Sequence, residues 1–453
     1  MMGMLSRAGA TLEPQAENAD IIVVNTCSFI ASAQQESVNT ILEMARHKTA
    51  GRAKKLVVAG CLVERFRHEI RRNIPEVDAV VGTGELEQIL SAAGLTPAAE
   101  QTSPFRVLAS RAEGEARQAQ GRFSRESWDG AISDLPNYLY DETTPRILAT
   151  PRYTAYIKIA EGCDHPCGFC IIPQLRGKFR SRRFESVVAE AERLARAGVR
   201  EITLIGQDTT CYGEDLGLKE GLARLLEKLA GIEELRWIRF LYAYPNKITP
   251  LLLETIAAHR KICPYIDVPL QHASADVLKR MKRGGSADIF LRLIETMRAA
   301  IPGVTLRTSF IVGFPGETEK DFEQLCGFLE QARFDWMGAF SYSDEEGAAA
   351  HSLGGKLPAL EIETRRKHLM AVQRKISKKR KKNLVGEKFD FLLEGSSSES
   401  DLLLEGRTSM HAPEIDGKVF VSDIAGGTEP VAGQFYRCQV TEAHDYDLVA
   451  RIL

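Results

Sequence analysis

The chain has 453 residues, enough for about three domains, with 44% apolar and 26% charged residues, 36 glycines and 18 prolines. That composition excludes wholesale disorder, collagen and a long coiled coil, and no apolar run approaches the ~18 residues of a membrane span. The net charge of −2 conceals an uneven distribution, and nine cysteines are too sparse and oddly numbered for a disulfide scaffold. They read instead as metal-binding, redox-active or buried thiols of a cytoplasmic protein.

The first ten residues lack the long apolar core of a secretory signal. Within 1–92, β-rich runs at 21–24, 56–59 and 77–81 alternate with a helical pattern at 37–45, carried by Val38, Ile41, Leu42 and Ala45. Strand–helix–strand repetition predicts a doubly wound parallel sheet with helices on both faces. Cys27 and Cys61 each fall just past one of these runs, which brings both thiols to the carboxyl edge of the sheet, where ligands bind in such folds. For either thiol alone, burial in the core is the competing reading. The stretch Val81-Gly-Thr-Gly84-Glu looks like a dinucleotide loop, but Glu87 occupies the third glycine position, and the match is set aside.

Residues 93–150 are polar and lose the alternation, which reads as a linker or surface excursion. The alternation returns over 151–375, with strands expected at 156–159, 202–205, 238–242, 265–268, 306–312 and 336–342. Helical patterns lie between them, one ending at Gly198 as a C-terminal cap. Six βα units predict an open, partial version of the eight-fold barrel, with its site in the loops where strands end. A Lys/Arg run covers 374–382. Beyond it, 384–453 changes to period two (Phe389, Phe391, Leu393; Tyr436, Cys438, Val440), predicting a small antiparallel β-barrel. That last region carries five Lys or Arg against thirteen Asp or Glu, a balance of −8.

The chemistry concentrates in Cys163-Asp-His-Pro-Cys167-Gly-Phe-Cys170, directly after the first barrel strand. Three thiolates within eight residues can close around one inorganic cluster. Iron–sulfur clusters usually take four cysteines, so three leave one iron open for a substrate or cofactor. A closed zinc or ferredoxin site with a distant fourth ligand is the competing reading. Cys211, Cys263, Cys326 and Cys438 read as structural, Cys211 least clearly because it lies beside the second strand's loop.

This motif in this setting resembles the radical S-adenosylmethionine (SAM) enzymes. Longer words narrow the resemblance to their methylthiotransferase family: Lys158-Ile-Ala-Glu-Gly-Cys163, Gly206-Gln-Asp-Thr-Thr210, Tyr242-Ala-Tyr-Pro245 and Asp267-Val-Pro-Leu-Gln-His272. The resemblance implies a 4Fe-4S cluster on Cys163, Cys167 and Cys170, with SAM on its open iron and reductive cleavage to a 5′-deoxyadenosyl radical. It also implies that Gly206 and Gln207 lie at the methionine end of SAM, and Gly313, Gly316 and Glu317 at the adenosine. A second 4Fe-4S cluster, on Cys27, Cys61 and a third cysteine, carries the sulfur to be transferred in that family. The third cysteine is expected on a strand preceding Met1, so the sheet reads as incomplete.

Among branches of the family, the words fit best the one that modifies the β-carbon of an aspartate in small-subunit ribosomal protein twelve. The C-terminal region resembles the TRAM barrel, often associated with RNA. Its acidity would repel phosphates and attract a basic ribosomal protein. Modification of a tRNA adenosine, and an inactive iron–sulfur protein with an incomplete N-terminal ligand set, are the rival readings. The 374–382 run keeps RNA contact open, and the electron donor has no motif here.

Overall fold

The computed structural model describes residues 1–95, 136, 138–397, 400, 403–425 and 429–453, so most of the expected linker at 93–150 lies outside the described residues. The chain forms two compact units. One holds the N-terminal residues with 143–147 and 174–177, and the other holds 139–142, 148–173 and everything from 178 onward.

In the first unit, β1 (Ile21–Thr26), β2 (Lys55–Gly60) and β3 (Ala79–Val81) pair in parallel in that order. Period-two alternation sends Leu56 and Val58 toward helices Ala31–Thr49 and Cys61–Asn73, against Ile41, Leu62 and Ile70. Val57 and Ala59 go to the opposite face, against Leu5, Ile89 and Ala93 of helices Met2–Arg7 and Ile89–Ala93. A strand buried on both faces must be apolar throughout, which is why 56–59 shows no polar alternation. Thr26 pairs with Gly60 in register, so Cys27 and Cys61 leave the sheet at the same edge. At the discarded dinucleotide stretch, acids sit where a phosphate would: Gly82 N–H donates to Glu85 (2.8 Å) and Thr83 N–H to Glu64 (2.6 Å).

The second unit begins with β4 (Thr154–Lys158), followed by a short antiparallel pair, β5 (Ala160–Glu161) and β6 (Arg180–Ser181). Strand β4 pairs in parallel with β7 (Glu201–Ile205), and β7 with β8 (Trp237–Phe240). A second parallel trio joins β9 (Tyr265–Asp267), β10 (Thr305–Val312) and β11 (Trp336–Ser341). The trios are joined by a bridge between Ile238 and Ile262, and Ala243 N–H donates to Asp267 O (2.8 Å), so the six expected strands form an open arc in two halves. Helices Phe184–Arg196, Gly221–Ala230, Pro250–Ala258, Ala287–Ala300 and Glu319–Ala332 cover its outside, over a core that includes Ile157, Leu204, Ile238, Leu306 and Phe310. Four charges interrupt these strands: Glu201, Arg239 and Asp267, all buried, and the partly buried Arg307.

The basic run ends a 24-residue helix, Ala359–Lys382, which spans the expected boundary at 375. Much of its charge is used internally. Arg374 and Lys378 face Asp445 (3.8 and 3.3 Å), Arg380 pairs with Asp335 (2.6 Å), and Lys381 is buried.

Strands β12 (Lys388–Ser396), β13 (Leu404–Thr408), β14 (Val419–Ile424), β15 (Phe435–Ala443) and β16 (Leu448–Ile452) close a barrel in the order β12-β13-β14-β16-β15. This is the expected small antiparallel barrel, with four antiparallel pairs and one parallel pair, β14 with β16. Strand directions cannot alternate around a closed ring of five, so one parallel pair is unavoidable. The segment 409–416 of this barrel is tied to four strands of the arc. Tyr156 O–H donates to Pro413 O (3.2 Å), Arg239 Nη1 to Ser409 O (3.0 Å), Tyr265 O–H to Asp416 (2.7 Å) and Trp336 Nε1 to Met410 O (2.8 Å). These anchors lie on the starts and middles of the strands, so the opposite, carboxyl ends are left to the cysteine loop.

Candidate functional site

Gly162, at φ +79, turns the chain out of β5 into the cysteine loop. The loop is clamped on both sides: Gly168 N–H donates to Met281 O (2.8 Å), and Gly168 O accepts from Ala350 N–H (2.7 Å). Cys163, Cys167 and Cys170 are all half-buried and free. Burial pushes the Cys163 thiol up to about 11 and the Cys170 thiol to about 12, and mutual repulsion with Cys167 adds to both shifts. Thiols held protonated in this way become thiolates when cations neutralise them, since a coordinating thiol is deprotonated outright. N–H donors already address the sulfurs: Ile172 N–H to Cys170 (3.4 Å) and Arg283 Nη1 to Cys167 (3.5 Å). Such bonds stabilise and tune cluster-bound thiolates.

A column of rings and charges that the sequence reading did not single out stands beside the loop. His165 stacks on Tyr244 with centroids 3.8 Å apart and planes 7° off parallel, and the Arg283 guanidinium covers Tyr244 at 4.5 Å. Asp208 anchors the column, 2.6 Å from His165 Nε2. It also accepts from Thr210 N–H and Oγ1 (2.8 and 2.5 Å) and from the Cys211 thiol (3.1 Å). Burial would raise the Asp208 pKa, but the bonds from His165, Thr210 and Cys211 outweigh it and hold the carboxyl below its usual value. The same carboxylate and burial push the Cys211 thiol upward, so Cys211 is a neutral donor here.

Gly206 and Gln207 follow β7 at the carboxyl edge, as expected, and Gln207 Oε1 is buried with no partner among the described residues. The turn after β10 meets the cysteine loop through a shared cluster of Phe169, Ile311 and Phe314. Gly313 and Gly316 take φ of +77 and +78, a left-handed conformation natural to glycine. Both are closely packed on the side a Cβ would take: one on Gly313 would collide with Ile362, and one on Gly316 would lie 3.3 Å from Arg280. Glu317 points back into the turn. It accepts from Gly313 N–H (2.8 Å), pairs with Arg365 (2.6 Å) and lies 3.5 Å from buried His272, so it latches β10 to helix Ala359–Lys382. Gly313→Ala is expected to cost about 2–3 kcal/mol, from the left-handed backbone and the overpacked neighbour together. The check is a fall in the denaturation midpoint at unchanged slope.

In the first unit, Cys27 is exposed and Cys61 buried. Cys61 opens helix Cys61–Asn73 and accepts from Arg176 Nη2 at 3.4 Å. Beside Cys27, the Ser28 hydroxyl is fully buried, without a partner among the described residues. The described residues of this unit hold no third cysteine.

A partial parallel barrel with a three-cysteine loop at its carboxyl edge defines the radical SAM class, and the profile of the Radical SAM superfamily matches residues 157–329. The TRAM domain profile matches 385–453, and that of Uncharacterized protein family UPF0004 matches 1–82. The ribosomal protein uS12 methylthiotransferase RimO of Koribacter versatilis (strain Ellin345) is 68% identical over 467 residues, covering 100% of this chain and 93% of that protein. Those of Solibacter usitatus (strain Ellin6076) and Trichlorobacter lovleyi (strain ATCC BAA-1151 / DSM 17278 / SZ) are 56% and 44% identical, again over 100% of this chain and over 91% and 94% of theirs. The chain belongs to the RimO family of radical SAM methylthiotransferases. Enzymes of this kind work with SAM and 4Fe-4S clusters. Among the described residues no helix is long and apolar enough to cross a membrane.

Proposed function

We propose that this enzyme acts in the cytoplasm on uS12, adding a methylthio group to the β-carbon of an aspartate, with Cys163, Cys167 and Cys170 as the ligands of its radical-generating cluster. The cysteine loop carries the reading: three half-buried thiols, already met by N–H donors, at the carboxyl edge of the barrel. Bound there, a 4Fe-4S cluster with one open iron supplies the site and the electron for cleaving SAM. The orphan Gln207 Oε1 is an acceptor suited to the ammonium of the methionine end. The Asp208–His165–Tyr244–Arg283 column keeps the loop and its nearest cation in one geometry, which a reaction through a free radical requires. Cys27 and Cys61 are the thiols this chain offers to a second cluster, and Cys61 already has a cationic N–H donor.

The substrate reading is supported by charge. In the C-terminal barrel Glu387, Glu414, Asp423, Glu429 and Glu442 are exposed; of its five cations Arg407 is buried, Lys418 and Arg437 pair with Glu405 (2.7 Å) and Asp390 (3.0 Å), and Lys388 and Arg451 are exposed. An acidic surface attracts a basic protein and repels tRNA. Reconstituted enzyme, SAM and a strong reductant, incubated without oxygen, are expected to place a methylthio group on a peptide of uS12 and none on tRNA, read by mass spectrometry. Added salt should weaken binding to uS12. Modified tRNA with untouched uS12 would reverse the assignment.

A further inference from the structure

At the amino-terminal ends of β10 and β11, away from the cysteine loop, lies a cleft of about 170 Å³. Val304, Trp336, Met410 and Leu448 give it apolar walls, and Lys381, His411 and the paired Asp335 and Arg380 line it as well. Lys381 and His411 are buried, at 5% and 1% exposure.

His411 Nδ1 accepts from Thr408, whose backbone N–H lies 3.4 Å away and whose hydroxyl lies at 2.9 Å. An N–H can only donate, so the proton of the neutral ring sits on Nε2. That Nε2 is buried and has no partner among the described residues. Burial, with Lys381, Arg407 and Arg239 nearby, holds the ring's pKa well below its ordinary value.

Lys381 is similarly placed. Its ammonium donates to Ser377 Oγ (2.8 Å) and lies 3.7 Å over the Trp336 ring. No carboxylate pairs with it among the described residues. Asp335 is held by Arg380 (2.6 Å) and Leu306 N–H (2.9 Å), Asp416 by Tyr265 (2.7 Å) and Ala412 N–H (2.8 Å), and Asp447 by Lys418 N–H (2.8 Å). Burial therefore prevails and pushes the ammonium down to about 8.

A buried ammonium without a counter-ion and a buried N–H without an acceptor are each costly, and here both border one cleft. The volume is close to that of a cavity that admits benzene, about 150 Å³. Apolar walls disfavour a bare inorganic anion, which would give up its hydration for few donors. We propose that the cleft binds a small organic carboxylate, its oxygens accepting from His411 Nε2–H and Lys381 and its apolar body resting on Trp336, Val304, Met410 and Leu448. The proposal is independent of the cluster and of the choice between uS12 and tRNA.

Benzoate and its neutral isostere benzamide are the probes, titrated into the full-length protein by calorimetry and by tryptophan fluorescence. Benzoate is expected to bind saturably, at least about tenfold more tightly than benzamide. Lys381→Met and His411→Phe should each weaken benzoate about tenfold while leaving benzamide unchanged. Equal affinity for the two probes, no saturable binding of benzoate, or undiminished binding in both variants would overturn the proposal. The comparison of the two probes on the unaltered protein decides the matter even if a variant fails to fold.

Discussion

Replacing Cys163, Cys167 and Cys170 together by alanine should remove about four irons per chain after anaerobic reconstitution, the content of one cluster, and reduce SAM cleavage to background. The half-buried loop leaves its sulfurs little alternative. Burial and mutual repulsion keep the Cys163 and Cys170 thiols protonated unless a metal neutralises them, so the loop is a weak nucleophile and a strong cluster site. Replacing Cys27 and Cys61 by alanine is expected to act differently. That variant should keep SAM cleavage and lose methylthio transfer, because its two thiols leave a separate sheet, beside the Arg176 donor. Iron and labile sulfide analysis, with 5′-deoxyadenosine and methylthio product measured in parallel, reads both variants. Unchanged iron in the first variant would disprove the ligand assignment. Lost SAM cleavage in the second would show that the two groups of cysteines do not act separately.

The cysteine loop was legible because its three ligands lie within eight residues and a strand pattern places them at a barrel's carboxyl edge. The strands were legible because buried parallel strands leave unbroken apolar runs, as 56–59 and 202–205 do. The supporting column was not. His165, Asp208, Tyr244 and Arg283 are ordinary residues up to 118 positions apart, and only the fold stacks them. Gly313 and Gly316 were visible as turn glycines, but the packing of Ile362 against Gly313 was not, because it depends on a helix half a hundred residues later. One signal was available and went unread. Glu201, Arg239, Asp267 and Arg307 each sit in or at the start of an apolar strand. Charges recurring in successive strands of one barrel announce a polar interior that something must neutralise.

Arg407 does much of that neutralising, and its loss is expected to be the most destabilising single change in the C-terminal region. From β13 it reaches Glu201, the first residue of β7, at 2.7 and 3.1 Å across 206 positions of sequence. Its Nε also donates to Glu394 at 3.0 Å. Arg407 is 3% exposed at its side chain and Glu201 not at all. Burial alone would raise the Glu201 pKa, but Arg407, Arg239 and Thr154 outweigh it, so the carboxyl is held below its ordinary value. Arg407→Met leaves that carboxylate with Arg239, 3.5 Å away, and Thr154. Breaking one side of a buried pair typically costs about 3–5 kcal/mol, seen as a lower denaturation midpoint. Removing the second charge as well, in Arg407→Met with Glu201→Met, should recover much of that loss, since two apolar side chains need no pairing. The pH dependence has a definite sign. A carboxyl with a depressed folded pKa contributes stability above its unfolded value, about 4.3, and loses it as pH falls through the folded one. The gap between Arg407→Met and the unaltered protein should therefore be full at pH 7 and narrow below about pH 4. A single-variant loss under about 1 kcal/mol, the size of an exposed pair, would mean that the TRAM barrel is held to the arc by its backbone contacts at 409–416 rather than by this charge.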